Sequence, residues 1–555
     1  MPTEEEKLKE FCQDVAKQIR AHPNADIERL KMDLAKKHKV KLVKSATILS
    51  YLSSSQKTKL VLSRLRTRLT RTGSGVSPIA LMPKPFPCPG KCTYCPTALC
   101  DVQISSTADK SKKTRNKTTK EKKEMFAPKS YTGFEPATMR AIQNEYDAKR
   151  QIFTRLEQYC ALGQPTDKCE LIIMGGTFLS VPSKYADNFI KECYDALNGS
   201  SSKSLLLAQK KNETAIHRAI GLTIETRPDW CTPLHIDKML SWGATRVELG
   251  VQSLDDKVLE KVKRGHGQKE IISATRDLKN CAFKVCYHFM PGLYSDAKKD
   301  ISMLKKLFKD SDYCPDMLKI YPCLVMPNTQ LYDEYKSKKF VPISAQEAVE
   351  RIVQATKYFP PWVRVMRMQR DIPASKIVAG VKNGNLHQMV SAELERRGQK
   401  CKCIRCREVF SSARQGRISG PLEFELIERS YAASGGIEYF ISFEDVKSDV
   451  LAGFIRLRFP SGSHRPEVTK SVALIRELHV YGQELAINTD CKIQKNCSKL
   501  SAQHAGLGKR LLKRAEQIAS DSGKKKICII SGVGTREYYR KLGYSLEGPY
   551  MAKRL

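Results

Sequence analysis

Residues 88–95 read CPGKCTYC, three cysteines spaced Cys-x3-Cys-x2-Cys within eight residues. The chain's opening, MPTEEEKLKEFCQDVAKQIR, is charged and helix-like, and no run of eighteen apolar residues occurs. Neither a signal peptide nor a membrane span is expected. The nineteen cysteines therefore belong in a reducing compartment, the cytoplasm with a nuclear pool in a eukaryote, where clusters point to metal sites or catalysis rather than crosslinks. A disulfide would leave one of the three thiols over, and tetrahedral zinc takes a fourth ligand. What surrounds the loop has to decide.

The loop sits at the head of a repeated pattern. From Ser77 to about Gln369, short β-branched runs alternate with helix-length stretches: SPIALM, ELIIMGG, GLTIETR, TRVELGVQ, FKVCYHFM, MLKIYP and VRVMRM. This alternation predicts parallel βαβ units, an open sheet or a full or partial (β/α) barrel, with functional groups at the carboxyl ends of the strands. The unusual residues fall there. CPGKCTYC follows the first run, Gly175, Gly176 and Thr177 the second, and Glu225 and Arg227 end the third.

Three thiolates can hold three irons of a [4Fe–4S] cubane and leave the fourth iron open to chelate S-adenosylmethionine. The spacing, with Tyr94 before the last cysteine, resembles the radical S-adenosylmethionine superfamily. ELIIMGGTF resembles its glycine-containing strand end, which meets the cofactor's amino group. A zinc site completed from elsewhere, or free thiols, is the alternative for the cysteines, and a plain turn for the glycines.

The carboxyl-terminal part carries a second cofactor pattern. ALIRELHVYG reads as a strand, QHAGLG (503–508) as a loop, KRLLKRAEQIA as a helix start and KICIISGV as another strand, before REYYRKLGY. Glycines before a helix let backbone N–H groups approach a pyrophosphate that the helix dipole favours. The order resembles the coenzyme A–binding core of the GCN5-related N-acetyltransferases. Glu477 and His479 alternate on one strand face, where they can position a water or a thioester carbonyl. Tyr538 and Tyr539 are candidates to contact the acyl-thioester, with ordinary packing as the alternative.

Composition points to the partner. The chain of 555 residues has 96 basic and 59 acidic residues, a net charge of +37, far beyond what solubility needs. Nucleic acid is the expected polyanion, because Lys and Arg at phosphates release condensed counterions. Residues 57–71 (KTKLVLSRLRTRLTR) interleave Leu and Val with Arg at helical spacing, whereas 110–123 (KSKKTRNKTTKEKK) have no apolar residue and read as an insert. Four regions are expected: a basic helical 1–75 suited to nucleic acid, a partial-barrel domain at 76–370 with a Lys-rich insert at 109–124, a linker at 371–425, and a mixed α/β acetyltransferase-like domain at 426–555.

A radical domain and an acetyl-coenzyme A domain in one basic chain form a rare pairing. With SYTGFEPATMRAI, MGGTF, TIETRPDWC, ELGVQS, KRGHG, PPWVRVMRMQRDIP, RELHVYG, SGVGTREYYRKLGY and GPYMAKRL, the chain resembles the Elongator catalytic-subunit family of tRNA carboxymethyluridine synthases. The resemblance implies a cluster on Cys88, Cys92 and Cys95 that cleaves S-adenosylmethionine. A hydrogen then leaves the methyl group of acetyl-coenzyme A, the resulting carbon radical adds to carbon 5 of the wobble uridine in the anticodon stem-loop, and thioester hydrolysis leaves a carboxymethyl group. It further implies that Lys168 contacts acetyl-coenzyme A from the radical domain. Arg476, Glu477, Leu478, His479, Gly506, Leu507, Gly508, Lys509 and Tyr538 are implied contacts in the other domain. CKCIRC (Cys401, Cys403, Cys406) resembles the family's structural zinc site, with no evident fourth ligand and His387 nearest in sequence. Elongator-type subunits or a second copy are the implied partners. A protein lysine acetyltransferase with a structural cluster is the competing function.

Overall fold

The computed structural model describes residues 3–53, 55–56, 58–65, 75–97, 99–101, 123–418, 420–481 and 506–555. Arg66 and Arg68, most of the insert at 109–124, and Gln503 to Ala505 lie outside the described residues.

Four helices open the described chain: α1 (Glu4–Ala21), α2 (Ile27–His38), α3 (Ser45–Tyr51) and α4 (Lys59–Leu65). Thr3 and Glu6 cap α1 reciprocally, satisfying two of its orphan N–H groups. Phe11, Val15 and Ile19 of α1 meet Leu34, Ile48, Leu49 and Leu65 in a small core of their own.

β1 (Val76–Leu81) leads into the cysteine loop, which precedes a hairpin of β2 (Leu99–Asp101) and β3 (Lys123–Met125). β4 (Lys168–Ile173), β5 (Arg218–Thr226), β6 (Arg246–Gln252), β7 (Lys284–Phe289), β8 (Met317–Ile320) and β9 (Arg364–Arg367) complete the first sheet. Its order is β1-β4-β5-β6-β7-β8-β9, every pair is parallel, and the edges do not meet. Each of the seven apolar runs is thus a strand of a half barrel. Helices cover the outer face and the lumen lies within, so β5 and β6 are buried on both faces and read as near-continuous apolar runs.

The second sheet has the order β10-β11-β12-β13-β14-β16-β15. Its strands are β10 (Glu425–Ala433), β11 (Gly436–Asp445), β12 (Val450–Phe459), β13 (Val472–Val480), β14 (Lys526–Ile529), β15 (Ser545–Glu547) and β16 (Tyr550–Arg554). Strand alternation gives it two apolar faces. Ile441, Ile455, Ile475 and Ile527 pack under the helix Leu507–Asp521. Phe440, Phe454, Leu474 and Tyr550 join the core of the half barrel. Polar contacts also cross the boundary. Arg476, wholly buried, reaches Asp316 beside β8 at 2.8 Å through Nη1 and 2.5 Å through Nη2, and meets Glu438 at 2.8 Å. Lys279 and Arg456 approach Asp316 at 3.6 and 3.7 Å.

Candidate active site

The cysteine loop closes over the carboxyl ends of the strands, as parallel-sheet topology dictates. Cys88, Cys92 and Cys95 line a cavity of about 320 Å³ with Thr177, Glu225 and Arg264. Arg264 Nη1 donates to Cys92 Sγ at 3.5 Å, and the Gly90 N–H to Cys88 Sγ at 3.4 Å. Burial, with the neighbouring Cys92, pushes the Cys95 thiol up to about 12. The loop is held from behind: Thr93 N–H donates to the Val262 carbonyl, and Lys129 to the Gly90 carbonyl at 2.9 Å.

The strand ends supply the rest. Gly175 and Gly176 have φ of +143° and +75°, and a Cβ on Gly176 would lie 2.9 Å from the Lys129 carbonyl oxygen; this left-handed turn therefore requires glycine. Thr177 is buried, with Oγ1 4.0 Å from Cys88 Sγ. Glu225 accepts from the buried Tyr131 hydroxyl at 2.6 Å. Arg227 binds Asp229 through Nε at 2.9 Å and Nη2 at 2.8 Å, but its buried Nη1 has no hydrogen-bond partner. Eight Lys and Arg side chains line this cavity against four Asp and Glu. That excess suits an anionic occupant.

The donor set fits an iron–sulfur cluster. Three cysteines on one loop can take three corners of a cubane, and the guanidiniums of Arg264 and Arg227 offset thiolate charge in a buried site. Among the described residues these three sulfurs do not gather within 4.8 Å of one another, whereas those of Cys401, Cys403 and Cys406 do. The second arrangement suits one ion with metal–sulfur bonds of about 2.3 Å. Cys403 is held well below the ordinary thiol range by hydrogen bonds from Cys401 and Cys406. His387 is on the helix Leu386–Arg396, and burial, with the charge of Arg405, lowers its imidazole below the ordinary range against the opposing pull of Cys403.

A second cavity of about 290 Å³ lies between the two sheets. It forms because β13 and β14 part: their parallel pairing runs only from Val472 to Ile475, while β13 continues to Val480. A register shift against β12 at Arg456/Leu457 lets Arg476 and Glu477 both face the barrel. Glu477 and His479 then share the cavity side with Tyr539, while the Leu478 side chain packs beneath the covering helix. Glu477 accepts from Arg456 at 2.9 Å. Burial pushes the His479 imidazole down to about 4, so it is neutral at pH 7.

The Arg476 side chain is committed within the protein. All five of its guanidinium N–H groups go to Glu438, Asp316 and the Phe283 carbonyl. Only its main chain is left to face a coenzyme.

Gly506 (φ +76°) is the N-cap of the helix Leu507–Asp521, and among the described residues no side chain caps its first N–H groups. Leu507 is buried under the sheet, Gly508 and Lys509 stand in the first turn, and the Tyr538 hydroxyl lies 3.3 Å from where a Gly508 Cβ would be. Tyr538 and Tyr539 pack edge to face at 5.2 Å. Lys168 opens β4 on the same strand face as Glu170, which lines the second cavity.

Tyr131, Arg264, Glu248, His288 and Lys319 were not singled out from the sequence. The last three lie on one face of their strands, and a period of two in the charged residues of β6 to β8 was the available signal.

A seven-stranded parallel half barrel with three cysteines at its mouth defines an enzyme of the radical S-adenosylmethionine class. Accordingly, residues 156–308 match the Radical SAM superfamily and 315–396 the Radical_SAM C-terminal domain. The chain is 45% identical to the tRNA uridine(34) acetyltransferase of Methanocaldococcus infernus, over 95% of both chains. It is 38% identical to Elongator complex protein 3 of Homo sapiens, over 98% of this chain and 96% of that one. Among solved structures, archaeal Methanocaldococcus infernus Elp3 with an N-terminal deletion matches with a TM-score of 0.73 at 43% identity, covering 87% of this chain and all of that one. The chain belongs to the Elongator complex protein 3 family, together with the tRNA uridine(34) acetyltransferases.

Proposed function

We propose that this chain converts the wobble uridine of tRNA to 5-carboxymethyluridine, drawing the two-carbon unit from acetyl-coenzyme A. The observation that supports it is the pairing in one molecule of a cationic cysteine-lined cavity with a second cavity where two strands split beside a glycine-capped helix N-terminus. When bound, a [4Fe–4S] cluster with S-adenosylmethionine supplies a radical able to take hydrogen from a methyl group that has no acid–base route to a pyrimidine carbon. The protein's part is binding, orientation and exclusion of water. Cys88, Cys92 and Cys95 hold the cluster, and Gly175 to Thr177 with Glu225 receive the nucleoside cofactor.

The N–H groups at Gly506 to Lys509 receive the coenzyme pyrophosphate. Residues 476–479 receive the acyl arm through their main chain, and Lys168 reaches it from the barrel side. Neutral His479 and ionised Glu477 orient the water that ends the thioester. Tyr538 and Tyr539 wall the thioester. Reconstituted protein with S-adenosylmethionine, acetyl-coenzyme A, a reductant and unmodified tRNA is expected to yield 5-carboxymethyluridine in digested nucleosides. Acetyl-lysine on added protein, formed without reductant and with no modified nucleoside, would favour the lysine acetyltransferase instead.

Cys401, Cys403 and Cys406 hold a structural zinc in this reading. The Cys403→Ser variant is expected to lose most of its zinc, read by inductively coupled plasma mass spectrometry, and to melt several degrees lower. Full zinc content would contradict the assignment.

The basic amino-terminal region serves as a tRNA-binding face. Changing Arg64, Arg66 and Arg68 to Glu should weaken tRNA binding and lower the slope of log K against log salt by about 0.7–0.9 per lost phosphate contact. Arg64 also donates to the Ala25 carbonyl, so the Arg66/Arg68 pair alone separates charge from helix stability. Unchanged affinity in both variants would remove this role.

A further inference from the structure

The two cavities share one lumen. Along β6, Arg246 lines the lower cavity and Glu248 the upper. Two residues of strand advance about 6.6 Å. The same two-residue handover occurs from Glu170 to Ile172 and from Met317 to Lys319, while on β7 four residues separate Lys284 from His288, with Cys286 between them. A single layer of side chains therefore divides the space.

That layer is ionic and incompletely satisfied. Glu248, with its carboxylate fully buried, pairs with Lys319 and with His288 Nε2 at 2.8 Å. Arg246 pairs with Glu170 at 2.7 Å and stands 3.5 Å from Glu248. Cys286, fully buried, has its Sγ within 4.8 Å of the Glu248 carboxylate and the His288 ring, and 4.0 Å from Met366 Sδ. Yet Arg246 Nε and Glu248 Oε1, the two atoms of that 3.5 Å ion pair, make no hydrogen bond, and the buried Arg246 Nη2 has no hydrogen-bond partner. Such orphans are costly inside a protein. They are what a narrow, amide- and carbonyl-bearing chain could satisfy while passing.

We propose that the half-barrel lumen is the route by which the acyl-thioester arm reaches the cysteine-lined cavity, with Arg246, Glu248 and Lys319 as the gate that parts around it. This rests on the reading of the lower cavity as the coenzyme site. The layer is thin beside an extended pantetheine arm, so a coenzyme anchored at the Gly506 helix end places its reactive end one residue layer higher without leaving its site. The gate otherwise keeps bulk water from joining the two cavities.

The test uses cluster-free full-length protein carrying Ile172→Cys, which puts a thiol on the upper side of the layer, and bromoacetyl-coenzyme A as the probe. Peptide mass spectrometry should find the introduced thiol alkylated to near completion, with coenzyme A competing. Adding Cys286→Leu, which thickens the layer, should slow that alkylation by at least about tenfold. Cys286→Ala should not slow it, and calorimetry should show coenzyme A affinity unchanged in both. Alkylation indifferent to Cys286→Leu would mean entry by the open mouth and overturn the route. No alkylation in the Cys286→Ala background, with the probe bound, would also overturn it. Loss of coenzyme binding in the parent Ile172→Cys protein would instead strike the coenzyme site itself.

Discussion

Cys92→Ala should abolish both 5′-deoxyadenosine release and tRNA modification. The expected fall exceeds about a thousandfold, because no other described group replaces a cluster ligand. Of the three loop cysteines, Cys92 is the most buried, at 8% exposure, and it accepts the Arg264 hydrogen bond. Its loss leaves two thiolates and an unpaired guanidinium in a buried site. The variant should still bind coenzyme A and tRNA, since neither surface includes it, and liquid chromatography with mass spectrometry reads both products. Modification that survives Cys92→Ala would remove the cluster from the mechanism.

Asp316→Asn should be the most destabilising single change at the boundary between the sheets. Its carboxylate accepts from Arg476 and from the Val285 N–H at 2.9 Å, and it faces Lys279 and Arg456. Those cations hold it far below the ordinary carboxylate range. Removing one partner of a buried ion pair strands the others, at a cost of about 3–5 kcal/mol. Calorimetry should show a lower melting temperature and a transition that splits or broadens as the sheets uncouple; a shift within about 1 °C would refute the clasp.

The same network sets a pH dependence. Asp316 and Glu438 have lowered folded values. Their stabilisation is therefore complete above about pH 4, the unfolded range, and is lost as pH falls through the lower folded values. The Asp316→Asn protein should show a shallower loss of stability below pH 4 than the parent.

The half barrel was legible because strand-length and helix-length patterns repeat from β4 to β9, with β1 set ahead of the cysteine loop and the insert, and the glycine–threonine strand end marked one rim of the site. The cysteine spacing gained its meaning from its place at the head of the strand–helix repeat. What could not be read was pairing across the chain. Asp316, Glu438 and Arg458 look like ordinary strand charges until the second sheet docks. The part played by the Arg476 side chain was hidden for the same reason: the β-bulge beside it turns its guanidinium into the barrel. Tyr131 and Glu225 are separated by 94 residues, and no local pattern announces their meeting. The glycines of 503–508 marked a helix start, and of these residues Gly506 to Gly508 fall within the described ones, at the beginning of the helix Leu507–Asp521.

The most direct test of the central claim follows the acetyl methyl group itself. Anaerobically reconstituted protein is given trideuterated acetyl-coenzyme A, S-adenosylmethionine, dithionite and unmodified tRNA, and the products are weighed. One deuterium should appear in 5′-deoxyadenosine and two in the carboxymethyl group of the wobble uridine. Deoxyadenosine free of deuterium beside a modified uridine would contradict hydrogen abstraction from the acetyl methyl group. Unlabelled carboxymethyluridine would contradict acetyl-coenzyme A as the carbon source.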